Sequence, residues 1–216
     1  MIDMKKRSIQ LIALILISAV ILCLTACSSS GKKLVGKWRS PYEVKTLLDP
    51  IVDYSVEHTE KGIKKTLYER IGNAYENVGI DLMLTFSEDG FFEFSFDQDS
   101  VSAAIDTIRT NVGSEITAVY TEFYGQYGLT PSGSFDDFTD QVMAAFDLEN
   151  KFKDSLTGSY AVKGDKLFFN AYTDGSDYVL FTVEDDTLTI VEATGNIADR
   201  GTAYHDLVRA YTRAGS

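Results

Sequence analysis

The sequence predicts an α+β fold, an antiparallel β-meander that carries helical insertions. Three segments each read as apolar alternation, a tight polar turn and apolar alternation again, the pattern of β-hairpins. Between the first and second of them the apolar spacing changes from two to three and four, the period of a helix face. A stripe of Ile63, Leu67 and Ile71 ahead of the first hairpin adds another helical region, between Pro41 and Gly79.

In chain order, Leu34-Val35-Gly36-Lys37-Trp38 opens a first strand. The earlier part of the helical region that follows is interrupted by Pro50, which lacks an amide donor and crowds the preceding turn. The first hairpin joins Leu82–Phe86 to Phe91–Phe96 across Ser87-Glu88-Asp89-Gly90. It places Phe92, Phe94 and Phe96 on one side and Glu93 and Ser95 on the other. Val101, Ile105, Ile108, Val112, Ile116, Val119, Tyr120, Phe123 and Tyr127 then step along one face of a long helix, with Ser100 as its N-cap. After the turn-rich run Gly128 to Gly133, Ser134 and Asp137 read as a capping box. They start a second helix with Phe138, Val142, Ala145, Phe146 and Phe152 on its apolar face. The remaining hairpins join Tyr160–Val162 to Leu167–Phe169 and Val179–Val183 to Thr187–Val191.

The N-terminus reads as a targeting segment. Lys5, Lys6 and Arg7 precede Leu11–Leu24, about 14 residues that are apolar apart from Ser18, a length that suits a signal h-region and falls short of a spanning helix. Leu24-Thr25-Ala26-Cys27 resembles the bacterial lipoprotein box. That resemblance implies cleavage after Ala26, diacylglyceryl transfer to the Cys27 thiol, and loss of Cys23 with the signal. Ser28-Ser29-Ser30-Gly31-Lys32-Lys33 follows as a polar tether. The expected organisation is a signal peptide at 1–26, a lipidated cysteine and tether at 27–33, and one domain at 34–216 with helical insertions at about 41–79 and 97–157. The expected location is the extracytoplasmic face of the cell membrane, held by the lipid anchor.

Composition narrows the partners. The chain has a net charge of −12, and without residues 1–26 it has −14, so nucleic acid and anionic headgroups repel it. Beyond Cys27 it has no cysteine, which excludes disulfides, thiolate metal sites and cysteine nucleophiles in the folded body.

Gly36-Lys37-Trp38 at the first strand, with Leu84-Thr85-Phe86-Ser87-Glu88-Asp89-Gly90 and Gly158-Ser159-Tyr160-Ala161-Val162-Lys163-Gly164-Asp165-Lys166-Leu167 in the hairpins, resembles the lipocalin-like lipoproteins of Gram-positive bacteria. The resemblance covers residues 34–38, 82–96, 158–192 and 207–213. It implies a lipocalin-like barrel or half-barrel in which Trp38 closes one end and packs beneath the last strand. The helical insertions depart from the small members of that family, and it implies no functional residues beyond the structural positions Gly36 and Trp38.

No constellation reads as catalytic. His58 and His205 are the histidines of the chain, no serine sits in a G-x-S-x-G elbow, and no phosphate-cradling motif occurs; both histidines read as surface residues. Asp97-Gln98-Asp99-Ser100 and Asp174-Gly175-Ser176-Asp177 lack the spacing and closing Glu of a calcium loop and read as turns and caps. No metal site and no cofactor is expected. Residues 97–156 hold eleven acidic and three basic residues, read as a solvated face. The aromatic run from Tyr120 to Phe146 reads as core.

Two functional readings follow, both non-enzymatic. In the first, the barrel binds a small apolar or amphipathic ligand, with Trp38, Leu84, Phe86, Phe92, Phe94, Phe96, Tyr120 and Phe123 as pocket candidates. In the alternative, the barrel core is filled and the chain is a cell-envelope protein–protein interaction module.

Overall fold

In the computed structural model, which describes residues 29–169, 178–193 and 207–215, eight strands close into an antiparallel barrel in sequence order. They are β1 (Gly36–Glu43), β2 (Gly79–Phe86), β3 (Phe91–Phe96), β4 (Leu156–Lys163), β5 (Lys166–Phe169), β6 (Val179–Glu184), β7 (Thr187–Ala193) and β8 (Ala210–Arg213). The ring closes where β8 pairs with β1, Trp38 opposite Arg213 and Arg39 opposite Thr212. A short α1 (Ser29–Leu34) precedes β1. Helices α2 (Lys45–Glu57) and α3 (Ile63–Ile71), with a 3-10 turn at Gly72–Ala74, lie between β1 and β2. Helices α4 (Gln98–Gly125), α5 (Asp136–Phe146) and α6 (Leu148–Phe152) lie between β3 and β4. The α+β class, the meander and both helical insertions are therefore present.

The three hairpins form where the turn chemistry directs. Gly164 and Asp185 take left-handed backbone at φ 67° and 49°, as the first residue of a two-residue hairpin turn requires. Gly90 does the same at φ 84° in the longer first turn. Alternate residues then bury: Ile80, Leu82, Leu84 and Phe86 on β2, and Phe92 and Phe94 on β3. A register shift between Leu180 and Phe181 marks an irregularity in the β6–β7 pairing.

The chain divides into two compact units, one falling within Met1–Ser40, Met83–Phe94 and Ser155–Ser216, the other within Pro41–Leu82 and Ser95–Asp154. The first is the barrel unit. Its core joins Trp38, Leu84, Phe86, Phe92, Phe94, Tyr160, Leu167, Phe169, Val179, Phe181, Leu188 and Tyr211, all buried. The second is the helical unit, whose core includes Leu48, Leu67, Ile71, Tyr75, Ile108, Val112, Ile116 and Phe146. Within it Arg70 on α3 reaches Glu115 and Glu122 on α4 at 2.9 and 2.8 Å, and the Asn111 side-chain amide donates to the Ala74 carbonyl at 2.9 Å.

Several local expectations are corrected. The N-cap of α4 is Asp97, whose carboxylate accepts from the Ser100 amide at 2.8 Å. Ser100 instead lies in the first turn, where its hydroxyl donates to the Asp97 carbonyl and accepts from the Asp81 amide. A carboxylate three residues before a free amide wins the cap because it also meets the positive end of the helix. The Ser134/Asp137 capping box does not form: α5 begins at Asp136 and its N-cap, Phe135, makes no side-chain cap bond. Pro50 does not interrupt α2, which runs through it at the loss of one ladder hydrogen bond. The second helix of the hairpin is two helices, because Asp147 turns left-handed at φ 50° and starts α6, which carries Phe152.

Candidate functional site

The pocket candidates divide between the two units. Trp38, Leu84, Phe86, Phe92 and Phe94 belong to the barrel unit, and Phe96, Tyr120 and Phe123 to the helical unit.

In the barrel unit the candidates are packed against their own neighbours. Phe86 meets Tyr160 edge-on at 4.9 Å between ring centroids, and Phe92 meets Phe169 likewise at 4.6 Å, an edge-to-face geometry that aromatic rings prefer. The Tyr160 hydroxyl donates to the Ser87 carbonyl at 2.8 Å; burial pushes its pKa up, and nearby Asp89 adds to this. Trp38, Leu84, Leu167, Val179, Leu188 and Tyr211 have 0 % accessible surface, and Phe86, Phe92 and Phe169 have 1–2 %. A side chain without accessible surface touches no space that admits a water molecule, so the six residues at 0 % line no void of that size. Space for a drug-sized ligand begins at roughly 300 Å³.

The helical unit brings its candidates into two separate clusters. Phe96 packs with Tyr42 at 5.6 Å and with Phe152 at 4.9 Å. Tyr120 stacks on Phe135 at 4.7 Å and Phe123 meets Tyr127 at 5.4 Å. This second cluster is not core. Burial along α4 ends at Val119, and Phe123, Tyr127 and Leu129 stand 37 %, 66 % and 57 % exposed. The aromatic period of the sequence continues past the last turn that has a neighbour to bury it.

Hollows indent the helical unit among the described residues. An open groove of about 890 Å³ runs along α4 and α5, floored by Gly113, Ser114, Thr117 and Ala118 and rimmed by Arg109, Glu122, Asp136 and Asp140. Arg109 and Asp140 form an ion pair across it. A smaller hollow of about 230 Å³ lies among Ile51, Tyr68, Ile71, Phe138, Val142 and Phe146. Nearby in sequence, Tyr75 is buried, and its pKa is pushed up by that burial first and then by the carboxylates of Asp49 and Asp53.

Arg213 was not legible as a partner from sequence. Its guanidinium lies over the Trp38 ring at 4.2 Å and donates to the Val35 and Lys33 carbonyls. The groove was also missed. Its signal was present as small residues at helical spacing, Thr110, Gly113, Ser114, Thr117, Ala118 and Thr121, on the side of α4 opposite the apolar stripe.

His58 is exposed, stacked on Tyr54 at 3.9 Å, with Nδ1 2.8 Å from the Tyr54 carbonyl. No group of three His, Cys, Asp or Glu side chains is arranged to hold a metal among the described residues. Among them, too, no helix is long and apolar enough to cross a membrane. Residues 1–28, with Cys23 and Cys27, the turn Asp174–Asp177, and His205 lie outside the described residues.

No protein-family model, curated protein or solved structure matches the chain.

Proposed function

We propose that this chain is a lipocalin-like bacterial lipoprotein, anchored through Cys27 at the extracytoplasmic face of the cell membrane. In this reading it acts without catalysis, as a protein–protein interaction module whose barrel is a filled scaffold and whose helical unit meets the partner. The observation that carries the reading is the 0 % accessible surface of Trp38, Leu84, Leu167, Val179, Leu188 and Tyr211, since small barrels filled by their own side chains have no room for a ligand. The exposed cluster of Phe123, Tyr127 and Leu129 on the helical unit supports it, because exposed apolar patches mark interaction sites. The lipoprotein assignment is supported by the N-terminal charge, apolar length and Leu24-Thr25-Ala26-Cys27 sequence.

The second reading, a small apolar ligand inside the barrel, is favoured by the wholly apolar and aromatic character of the buried strand faces of β2 and β3. Native mass spectrometry of protein purified from its own host separates the two. The interaction reading expects the mass of the acylated chain alone. It also expects a photo-reactive residue at Tyr127, in intact cells, to form a discrete protein adduct that the same residue at Glu88, on the first hairpin turn, does not. A small molecule that co-purifies, and whose binding is lost in Phe92→Trp, sinks it in favour of the ligand reading.

A further inference from the structure

We propose that the groove along α4 and α5 is the docking site for a helical segment of a partner protein that carries Lys or Arg along its flanks. This deepens the interaction reading and rests on it.

The groove runs from Arg109 to Glu122 on α4, about 20 Å at 1.5 Å per residue. A span of that length matches about thirteen residues of a second helix laid alongside. Its floor is Gly113, Ser114, Thr117 and Ala118, side chains small enough to let a helix axis approach closely.

The floor also favours a helix over an extended chain. The hydroxyls of Thr110, Ser114, Thr117 and Thr139 each donate to the carbonyl four residues back, at 2.9, 3.0, 2.8 and 3.1 Å. Both walls are helices whose backbone groups are bonded within themselves. The hydroxyl protons are spent, so an extended peptide in the groove finds few donors for its own carbonyls, and unpaired buried carbonyls are costly. A helix arrives with its backbone satisfied, as in other helix-in-groove complexes.

Charge selects the occupant. Glu122, Asp136 and Asp140 rim the groove; Arg109 holds Asp140 and Arg70 holds Glu122, which leaves the Asp136 carboxylate to face an occupant. Asp136 makes no ion pair among the described residues, and residues 97–156 carry a net charge of −8. Potentials across an interface are complementary, so a cationic helix fits and a second copy of this acidic chain does not. Phe135, half-buried and stacked on Tyr120, closes one end as an apolar contact.

The test uses the full chain in neutral detergent at physiological salt with three synthetic peptides. The first is an amidated Ala–Lys helix, the second its Glu-for-Lys counterpart, and the third the Ala–Lys sequence broken by two central prolines. Fluorescence anisotropy is expected to give saturable binding of the first peptide with a Kd below about 100 μM, and binding at least about tenfold weaker for the other two. Thr117 is exposed, so Thr117→Arg is expected to leave helicity by circular dichroism unchanged while weakening the first peptide about tenfold or more, with Thr117→Ser near wild type. No binding, equal binding of all three peptides, or indifference to Thr117→Arg overturns the groove. A photo-reactive peptide that labels Tyr127 but no residue of the groove also overturns it, yet leaves the interaction reading standing, which falls instead on a co-purifying barrel ligand.

Discussion

The guanidinium of Arg213, on the last strand, lies 4.2 Å from the centre of the Trp38 ring on the first. The Trp38 indole N–H donates to the Leu34 carbonyl at 2.7 Å. Arg213 donates to the Val35 and Lys33 carbonyls at 3.1 and 2.9 Å and pairs with Asp186 at 3.2 Å. One side chain thus ties α1, β1 and the β6–β7 turn to β8, where the barrel closes. Arg213→Ala is expected to cost about 2 kcal/mol, from the lost cation–π contact and charge-assisted hydrogen bonds. Urea unfolding is expected to show a lower midpoint with an unchanged slope. Arg213→Lys recovers less than half of that, because an ammonium lacks the planar fork.

Gly36 is required beside that clasp. Its φ is +133°, and a Cβ built there lies 2.7 Å from Arg213 Nη1. Gly36→Ala is expected to destabilise by about 1–3 kcal/mol. In an Arg213→Ala background the clash disappears while the backbone strain stays, so a double-mutant cycle is expected to show coupling on the order of 1 kcal/mol. Strict additivity would place the clash elsewhere.

The filled-barrel reading makes its own prediction for Phe92, which has 2 % accessible surface and meets Phe169 at 4.6 Å. Phe92→Ala is expected to cost about 3–5 kcal/mol, the loss of burial together with a new cavity. Measured against a barrel that already holds a ligand-sized void, the loss would be smaller and bound ligand would change it.

Tyr75 links stability to alkaline pH. Burial, then Asp49 and Asp53, raises its pKa in the folded state, so the native fold favours the neutral phenol. Below the ordinary tyrosine value of about 10 both states are protonated and the stabilisation is complete. Above it the unfolded chain releases a proton that the folded chain keeps, and stability falls as pH rises toward the folded value. Tyr160 shifts in the same direction. Tyr75→Phe is expected to reduce the slope of unfolding free energy against pH above pH 10 by as much as about 1.4 kcal/mol per pH unit. An unchanged slope would exclude Tyr75 as a source.

Cys27→Ser is expected to block fatty-acid labelling in growing cells and leave the precursor uncleaved after Ala26. Labelling that persists in this variant would move the anchor elsewhere.

Secondary structure was legible where local chemistry decides it. Gly90, Gly164 and Asp185 fall at turns whose backbone they suit, and the alternation of Leu82, Leu84, Phe86, Phe92 and Phe94 became one buried face. Legibility failed where two local signals competed: Asp97 took the cap from Ser100, and α2 continued through Pro50. The candidate site was legible only in part. Phe92 and Phe96 share a strand face in the sequence, yet one packs on Phe169 and the other on Tyr42 and Phe152.

The sequence alone determined the strand and helix periods, the hairpin turns, the acidic balance and the N-terminal expectation, because each depends on residues within a few positions of one another. Only the tertiary structure decided that β8 closes on β1, that Arg213 covers Trp38, that Phe123 and Tyr127 stay exposed, and that small residues on α4 face a groove. Those depend on which surfaces meet between elements beyond the reach of a local turn, and helical or alternating period says that a face is apolar without saying what, if anything, will cover it.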